Sequence, residues 1–545
     1  MSRVQRPHRY DAALGIGAVA TIVAAAVSGI APRAHVARAD GGEPSARPVA
    51  ASAARTVVGD FDGDGRADLA IGVRFEDVGS AVDAGAVNVI YGSGAGLSSA
   101  GNQLWTQDSP GLIGKAEAGD NFGTSVATGD FNGDGFADLA IGSAGESIGS
   151  ASKAGAVSVI YGSASGLTSA GNQFWDFDST GIIGRLGRND QFGLSLTTGD
   201  FNGDGVADLA VGAPGNDISP STNVGSVSVI YGSAAGLTSG GNQFWDQDSP
   251  GILGADAHND FFGWALTAGD VDGDGFDDLA IGTPFDNPNN VIDAGSVNVI
   301  MGSAAGLTST GNQQWTQDST DVADAAEVGD LLGWDVAAGD FNGDGFADLA
   351  IGVPDEDLAL SNQGAVNVLY GSAAGLSADG NQLWSQDVAG GAAHAGGGFG
   401  NALAAGDVDR DGRQDLAIGA ADAPAGTVAG GGDVDVLLGT AGGLSGTGAQ
   451  EWNQDTGSIA DQAEPNDYFG ADVALLDFNG DGAADLAVAV TFEDIGSISN
   501  AGAVNVIYGS TGGGLTDAGN QFWRQGAGGI LDQAEAGDQF AYAVA

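Results

Sequence analysis

The chain contains no cysteine among its 545 residues, and only 16 lysines and arginines and four histidines. Without cysteine there is no disulfide bond, no thiolate ligand for a metal ion and no cysteine nucleophile. The basic residues stand against 71 aspartates and glutamates, which gives a formal net charge of −55. So acidic a protein repels phosphate and has few basic groups that could release counterions. We therefore expect no nucleic-acid partner.

Apolar residues and glycine are plentiful by contrast. Hydrophobic residues make up 43% of the chain, which is enough for a large core and argues against low-complexity disorder. The 97 glycines follow no three-residue period and indicate many tight turns. At about 150 residues per domain, the length alone predicts three or four domains.

The first 39 residues have the pattern of a secretory signal peptide. Three arginines precede an apolar run from Ala12 to Ala31, and an A-x-A cleavage site ends at Ala39. We expect cleavage after Ala39 and a secreted or cell-surface protein. An uncleaved signal anchor is the alternative, because about 20 apolar residues can just span a bilayer. Residues 40–54 have the composition of a flexible linker.

From residue 55 onward the sequence repeats a single unit. The segment GDFDGDGRADLAIG at 59–72 returns as GDFNGDGFADLAIG at 129–142 and then five more times. The units start near residues 60, 130, 200, 270, 340, 407 and 477. A regular period of this size indicates stacked or radially arranged units and not three or four unrelated domains.

Each unit contains four short strand patterns. In the third pattern of the second unit, Val157, Val159 and Tyr161 alternate with Ser158 and Ile160, as in a strand that is buried between neighbours. Four strands per unit are typical of a propeller blade. The sequence therefore predicts an all-β, seven-bladed β-propeller over residues 55–545. The strands predicted in the second unit are 122–130, 137–143, 155–163 and 172–178.

The last nine residues match the opening of a further unit. Residues 537–545 read GDQFAYAVA, and the first unit has no Phe-Gly corner of its own. We expect this tail, with Phe540, to supply the missing corner and close the ring. A truncated eighth repeat is the alternative.

Every unit carries the motif D-x-[D/N]-x-D-G-x-x-D, whose spacing predicts a calcium site. Calcium takes six to eight oxygen ligands at loose geometry, and the side chains at positions 1, 3, 5 and 9 supply them together with the carbonyl at position 7. The absence of histidine and cysteine from the loops disfavours softer metals. About seven Ca²⁺ sites are expected. The ligands are Asp60, Asp62, Asp64, Arg66, Asp68; Asp130, Asn132, Asp134, Phe136, Asp138; Asp200, Asn202, Asp204, Val206, Asp208; Asp270, Asp272, Asp274, Phe276, Asp278; Asp340, Asn342, Asp344, Phe346, Asp348; Asp407, Asp409, Asp411, Arg413, Asp415; and Asp477, Asn479, Asp481, Ala483, Asp485.

Ordinary hairpin turns are the alternative explanation of these loops, because Asp-Gly and Asn-Gly are common turn residues. A turn does not need oxygen-bearing side chains at four fixed positions in seven copies. Three or four unneutralised carboxylates this close together would also repel one another. The loop is not an EF-hand, whose closing glutamate would fall where Ile71 stands.

The Phe-Gly pairs at 122–123, 192–193 and 262–263, the aspartate loops and V-G-A-P at 211–214 resemble the FG-GAP repeat of the integrin α-subunit propeller. The resemblance covers residues 55–545, with departures such as Leu332-Gly333. It implies that the calcium loops join the first two strands of each blade on one rim. It also implies that the loops between strands two and three form an opposite, ligand-binding face. Because no further integrin domains are present, the chain looks like the stand-alone bacterial FG-GAP proteins.

One tryptophan recurs in every unit, mostly within N-Q-x-W-x-Q-D. We expect these side chains to pack between blades, because large aromatic residues dominate buried area. An aromatic platform for sugar binding is the alternative. The seven residues are Trp105, Trp175, Trp245, Trp315, Trp384, Trp452 and Trp523.

The loops after the second strand vary between units, and variable loops on a rigid scaffold are where recognition usually resides. Their acidic residues predict an acidic face for a basic or calcium-bridged partner, with solvated acidic surface as the alternative. These residues are Glu76, Asp77, Asp217, Asp286, Asp355, Glu356, Asp357, Glu493 and Asp494. His258 and His394 belong to no repeated motif, and we expect exposed loop positions for both.

Taken together, these patterns predict an exported, monomeric, calcium-binding propeller that serves as an adhesion or ligand-binding module without catalysis. Its expected ligand is a protein or a glycan on the loop face. A lectin-like or polysaccharide-active propeller is one alternative, since a glycosidase needs only two carboxylates. A structural surface or matrix protein is the other.

Overall fold

The computed structural model describes residues 58–218 and 220–545, which form seven four-stranded antiparallel sheets. The first strand of each sheet lies innermost and contacts the first strands of both neighbouring sheets, so the sheets form a closed ring. This confirms the all-β, seven-bladed propeller and shows that the length-based expectation of three or four domains was wrong. The expected signal peptide (1–39) and linker (40–54) lie outside the described residues.

The 28 strands are numbered in chain order, and the strands of each blade run from the innermost to the outermost. Blade 1 contains β28 (Phe540–Val544), β1 (Leu69–Val73), β2 (Ala86–Tyr91) and β3 (Ser98–Trp105); blade 2 contains β4 (Phe122–Gly129), β5 (Asp138–Ser143), β6 (Ala156–Tyr161) and β7 (Thr168–Trp175); blade 3 contains β8 (Ser195–Gly199), β9 (Asp208–Ala213), β10 (Ser226–Tyr231) and β11 (Thr238–Trp245); blade 4 contains β12 (Ala265–Gly269), β13 (Asp278–Thr283), β14 (Ser296–Met301) and β15 (Thr308–Trp315); blade 5 contains β16 (Val336–Gly339), β17 (Asp348–Val353), β18 (Ala365–Tyr370) and β19 (Ser377–Trp384); blade 6 contains β20 (Ala402–Gly406), β21 (Asp415–Ala420), β22 (Asp433–Thr440) and β23 (Gly443–Trp452); blade 7 contains β24 (Phe469–Leu476), β25 (Asp485–Val490), β26 (Ala503–Tyr508) and β27 (Thr516–Trp523).

The middle two strands of blade 2 are fully buried, because each is covered by a neighbouring strand on both sides and by a neighbouring blade on each face. All residues of β5 and β6 are buried, whereas the outermost strand β7 is half-buried or exposed throughout. The fourth strand of this blade, predicted at 172–178, lies nearer the N-terminus in the structure, at Thr168–Trp175. The observed strand begins at Thr168, where polar residues pair with Tyr161 beyond a bulge and carry no apolar signal.

Short helical segments are minor in the described residues. A single α-helical turn spans Gln386–Ala389, and a 3₁₀ turn spans Pro288–Asn290. Among the residues described, no helix combines the length and the apolar character needed to span a membrane.

A tyrosine and a glutamine from the third and fourth strands of one blade bind the backbone of the next blade. The Tyr91 hydroxyl donates to Gln103 Oε1 at 2.7 Å, and Gln103 Nε2 donates to the Leu167 carbonyl at 3.0 Å. The Leu167 N–H in turn donates to the Tyr91 hydroxyl at 3.2 Å. Similar contacts join Tyr161, Gln173 and Leu237 at the following junction. The glutamine of the repeated N-Q-x-W motif is therefore an inter-blade hydrogen-bonding residue.

The C-terminal tail closes the ring. β28 pairs antiparallel with β1, with Ile71 opposite Val544, and the Ala545 carbonyl accepts a hydrogen bond from the Ala70 N–H at 2.7 Å. Phe540 is fully buried at the corner that the first unit lacks. The expected closure is confirmed: the first blade is assembled from both ends of the described chain.

Replacing Phe540 with alanine should lower the free energy of unfolding by about 3–5 kcal/mol, because it leaves a cavity in the buried corner that closes the ring. The measurement is chemical denaturation followed by tryptophan fluorescence. The matched control is Ile113→Ala, which truncates a side chain that is 51% exposed and should change stability by less than about 0.5 kcal/mol. Equal effects of the two substitutions would contradict closure through Phe540.

Candidate metal centres and the loop face

The first aspartate of each D-x-[D/N]-x-D-G-x-x-D loop organises the turn of the main chain. In blade 1, Asp60 Oδ1 accepts hydrogen bonds from the N–H groups of Gly63 at 2.7 Å and Asp64 at 3.0 Å. Asp60 Oδ2 accepts from the Gly65 N–H at 2.8 Å. Gly65 has φ +88°, a left-handed conformation that glycine adopts without steric cost. The loop therefore wraps around this carboxylate.

The ninth residue of each loop ties the loop to its blade. Asp68 is fully buried, and its two carboxylate oxygens accept from the N–H groups of Phe61 and Gly92, each at 2.8 Å. Phe61 is the second loop residue and is itself fully buried, and Gly92 follows β2. The same two bonds recur in the other six blades, at Asp138, Asp208, Asp278, Asp348, Asp415 and Asp485.

Three of the loops bring three carboxylates together. In each, one oxygen from the first, third and ninth residues lies within 4.8 Å of the others: Asp60, Asp62 and Asp68; Asp270, Asp272 and Asp278; and Asp407, Asp409 and Asp415. The other four loops have asparagine at the third position. In two of them that amide donates to the ninth carboxylate, from Asn202 to Asp208 and from Asn479 to Asp485.

The fifth residue lies outside these three groups. Asp64 accepts from the main-chain N–H of Arg66 and forms an ion pair of 2.8 Å with the Arg66 guanidinium. Asp411 forms the same pair with Arg413 at 2.7 Å. Both aspartates are partly exposed, so these ion pairs contribute little to stability. The arginine at position 7 thus engages the predicted fifth-position ligand through its side chain.

The buried ninth carboxylates are electrostatically unfavourable. Burial raises the pKa of Asp68 to about 8, hydrogen bonds from Gly92 and Phe61 oppose the shift, and the charges of Asp62 and Asp60 add to it. The pKa is likewise about 8 at the other six ninth positions. A cation among these oxygens would favour the ionised form. The donor set is made only of hard oxygen atoms, which fits calcium.

The opposite ends of the inner strands form a second surface, which we call the loop face. β4 pairs with β5 so that Gly129 lies opposite Asp138 at the end of the blade that carries the aspartate loop, which we call the metal-loop end. At the other end, the loop face, Phe122 lies opposite Ser143. The loops after the second strands lie on the loop face. The resemblance implied this division into two faces, and the strand register agrees with it.

Four aromatic rings from blades 4 and 5 meet on the loop face. The ring centroids of Trp264 and Phe285 are 5.3 Å apart, and those of Trp264 and Trp334 are 5.2 Å apart. Phe261 lies 5.3 Å from Phe285, and all four side chains are only half-buried. We call these residues the aromatic cluster. Sequence reasoning missed it, although Trp264 and Trp334 are the two tryptophans outside the repeated motif.

In blade 1, two aromatic rings of the loop face contact an arginine side chain of the same protein. The Arg74 guanidinium lies 5.0 Å from the centre of the Phe75 ring and 4.7 Å from that of Tyr542. Phe75 and Phe285 both lie two residues beyond the second strand of their blades. Cation–π contacts of this kind stabilise the loop in blade 1. The residue that corresponds to Arg74 in blade 4 is Pro284.

Three of the acidic residues expected on the loop-face surface are buried instead. Glu76, Glu356 and Glu493 are at most 2% exposed, because each accepts a hydrogen bond from a glutamine of the preceding blade. For Glu493 this bond comes from Gln454 Nε2 at 2.6 Å. Asp77, Asp217, Asp357 and Asp494 are exposed, and Asp286 and Asp355 are half-buried.

No clear sequence signal marks these glutamine–glutamate pairs, because each pair joins residues 39 or more positions apart. A fourth pair joins Gln107 and Glu146 at 2.5 Å. At the junction of blades 2 and 3 the glutamine position is occupied by Phe177, whose ring packs 4.8 Å from Phe192, and the glutamate position by Asn216. An apolar contact therefore replaces the polar pair at that junction.

A family model described as the FG-GAP repeat matches the chain seven times, at residues 52–90, 122–160, 192–230, 262–298, 332–369, 399–437 and 469–507. The chain belongs to the FG-GAP repeat family. Each match within the described residues begins at or near the start of an inner strand and ends in the third strand of its blade. Every match therefore includes one of the aspartate loops.

Known FG-GAP relatives are much longer proteins. The chain is 39% identical to the phosphatidylinositol-glycan-specific phospholipase D of Rattus norvegicus over 165 residues, which are 30% of this chain and 18% of that protein. It is 31% identical to integrin alpha pat-2 of Caenorhabditis briggsae, over 43% of this chain and 18% of that protein. It is 32% identical to integrin alpha-PS2 of Drosophila melanogaster, over 44% of this chain and 16% of that protein. The matched region thus spans less than a fifth of each relative.

Two solved structures resemble this FG-GAP chain only weakly. An exotype rhamnogalacturonan lyase superposes with a TM-score of 0.35 and 12% identity, over 76% of this chain and 68% of that chain. A rhamnogalacturonan lyase of Bacillus licheniformis gives 0.33 and 12%, over 84% and 71%. Similarity at this level carries no argument about function.

The recurrent tryptophans of the FG-GAP units pack against the blades. Trp105, Trp384 and Trp452 are at most 9% exposed, and the other four are half-buried. Trp105 belongs to a core cluster against which Trp175 packs. The prediction that these side chains pack is confirmed. His258 is exposed as expected, whereas His394 is half-buried.

The buried Glu493 should make the stability of the FG-GAP propeller depend on pH. Burial raises its pKa from 4.5 to about 8, so the folded state favours the neutral carboxyl. The resulting stabilisation is present below pH 4.5 and is lost as the pH rises through 8. Glu493→Gln keeps an acceptor for Gln454 but cannot ionise. Its melting temperature should therefore exceed that of the wild type more at pH 8 than at pH 5.

Calorimetry in calcium-free buffer makes this comparison. Asp494→Asn, which removes an exposed charge from the neighbouring residue, is the control and should show no such widening with pH. A constant difference between Glu493→Gln and the wild type from pH 5 to pH 8 would refute the assignment.

Proposed function

We propose that this chain is an exported, calcium-binding FG-GAP propeller that acts as an adhesion or ligand-binding module and catalyses no reaction itself. The observation that carries the calcium proposal is the close approach of three carboxylates in three of the loops, where oxygens of the first, third and ninth residues lie within 4.8 Å of one another. The buried ninth aspartate recurs in all seven blades. Export is supported by the signal-peptide pattern of residues 1–39. Similarity to integrin α chains supports the adhesion role.

Calcium would be held by the carboxylate or amide oxygens at positions 1, 3, 5 and 9 and the main-chain carbonyl at position 7 of each loop. In blade 1 these groups belong to Asp60, Asp62, Asp64, Arg66 and Asp68. The metal would neutralise carboxylates that otherwise repel one another, and it would fasten the loop to the start of β1. Its proposed role is structural, because the same buried aspartate also ties the loop to its blade.

Removing calcium with EGTA should lower the melting temperature markedly. A metal that binds only the folded state stabilises it by about 2.7 kcal/mol per site when its concentration is 100 times the dissociation constant. Differential scanning calorimetry with EGTA and with excess CaCl₂ measures the effect. Magnesium at the same concentration controls for ionic strength. A melting temperature that does not respond to EGTA would disprove the proposal.

A single-loop variant localises the effect. Asp272→Ala removes one carboxylate from a three-carboxylate group, and calorimetric titration should show one fewer calcium ion bound per chain. Asp357→Ala removes an exposed acid of the loop face and should leave the calcium stoichiometry unchanged. Equal stoichiometry in the wild type and Asp272→Ala would rule out this loop as a calcium site.

The loop face is the proposed ligand surface. It carries the variable loops, the exposed acids Asp77, Asp217, Asp357 and Asp494, and the aromatic cluster. Two apolar side chains in the loops of this face are exposed as well: Ile292 is 58% exposed and Val328 is 73% exposed. Exposed apolar patches bordered by polar residues commonly mark interaction sites. A protein or glycan partner is expected on this face, and the acidic rim favours one with positive charge.

Carbohydrate binding is the second candidate function, and the aromatic cluster is the observation that favours it. Half-exposed tryptophan rings offer an apolar surface on which a sugar ring can stack. Trp264 and Trp334 lie side by side on the loop face, so these two rings would carry this role. A structural surface or matrix protein, the third possibility, would need neither the cluster nor a specific ligand.

Binding to a glycan array and capture of surface proteins, each with calcium, should separate these functions. For an adhesion module we expect a captured protein and no glycan signal, and Trp264→Ala should reduce capture at least about tenfold. Trp175→Ala, which truncates a tryptophan of the repeated motif that packs against the core in blade 2, is the matched control. Glycan binding lost in Trp264→Ala would establish the carbohydrate function. Absence of any ligand would overturn both binding proposals.

A further inference from the structure

Neighbouring metal loops are joined by a hydrogen bond at every blade junction. The N–H of the eighth loop residue donates to the carbonyl of the first loop residue in the preceding blade, as from Ala137 to Asp60 at 2.9 Å. The first loop residue is the aspartate around which each loop wraps. The other six bonds run from Ala207 to Asp130, Asp277 to Asp200, Ala347 to Asp270, Gln414 to Asp340, Ala484 to Asp407 and Ala67 to Asp477. These bonds follow the ring without a break.

The side chain of the seventh loop residue makes a second contact with the preceding loop. The Phe136 ring covers Gly63, the fourth residue of the blade 1 loop, so closely that a Cβ on Gly63 would lie 2.6 Å from it. Phe276 and Phe346 cover Gly203 and Gly273 in the same way. The glycine is needed at this position because the neighbouring loop occupies the space beside it.

Between blades 6 and 7 the loops are also in contact, but here the large side chain belongs to the fourth residue of the preceding loop and not to the seventh residue of the following one. The fourth loop residue of blade 6 is Arg410, and the seventh of blade 7 is the small Ala483. Arg410 Nη1 donates to the Asp481 carbonyl in the blade 7 loop at 2.6 Å. The large side chain has moved to the other loop and the contact between the two loops remains.

Residues 136 and 137 therefore belong to two loops at once. The carbonyl of Phe136 is a proposed calcium ligand in blade 2, while its ring and the following N–H hold the loop of blade 1. Calcium in the blade 2 loop would order this dipeptide. The blade 1 loop, which contacts the dipeptide, would then lose less conformational entropy when it binds its own calcium ion. Binding energy at one site then lowers the cost of ordering at the next.

We propose that the seven loops bind calcium as a coupled ring, in which a filled loop raises the calcium affinity of its two neighbours. This inference rests on the calcium binding proposed above. Coupling passes through the shared dipeptide at each junction, so it should be strongest between adjacent blades and weak between distant ones.

The test is hydrogen exchange at each loop during a calcium titration of the full chain. Asp134→Ala removes a carboxylate that lies in the exposed part of the blade 2 loop. The calcium concentration that half-protects the loops of blades 1 and 3 should rise at least about fivefold. The blade 5 loop is the internal control: it is not adjacent to the altered loop of blade 2, and it should keep its wild-type midpoint. Asp344→Ala in blade 5 should give the reciprocal result, with blades 4 and 6 shifted and blade 2 unchanged.

A second variant breaks the contact without removing a ligand. Phe136→Ala keeps the main-chain carbonyl but uncovers Gly63. In this background Asp134→Ala should shift the blade 1 midpoint less than it does in the wild type, because only the bond from Ala137 to Asp60 still joins the two loops. A shift confined to the mutated loop, or an equal shift in all seven loops, would overturn the coupled ring. Wild-type loops that show no calcium-dependent protection at all would instead disprove calcium binding itself, so the two failures are distinguishable.

Discussion

The buried aspartate that ends each metal loop is the constraint on which the rest of the blade depends. Its two oxygens hold the second loop residue and the residue after the third strand, so one side chain fixes the loop against the blade. Such a position needs an acceptor with two oxygens, which the aspartate carboxylate provides, and its ionised form is also a ligand for calcium. Burial opposes that ionisation, and this conflict is the physical reason why a bound cation would stabilise the loop.

Neighbouring blades are joined in three regions of each junction. The metal-loop end is joined by main-chain bonds such as Ala137 to Asp60, the outer strands by glutamines such as Gln103, and the loop face by buried pairs such as Gln454 and Glu493. Each contact links a blade only to its neighbours, as in other repeat proteins. The ring needs a final closure, which the pairing of β28 with β1 provides.

Periodicity made most of the fold readable from the sequence. The seven units, the strand patterns and the role of Phe540 follow from residues that recur at fixed intervals. The pairing of Gln454 with Glu493 could not be read, because its partners lie in different units and a glutamate in a variable loop has the pattern of a surface residue. The aromatic cluster was also missed, although Trp264 and Trp334 occupy the same position in two consecutive units. Only the packing of blade 4 against blade 5 brings their rings into contact. Similarity identifies the family but not the ligand, because a fold does not imply a function.

The account depends above all on the loops being metal sites, and native mass spectrometry of the folded protein counts bound ions most directly. In calcium buffer the mass should correspond to about seven Ca²⁺ per chain, one for each loop. The ions should be lost when the protein is transferred to EGTA. A folded protein that carries no calcium under these conditions would contradict the central claim.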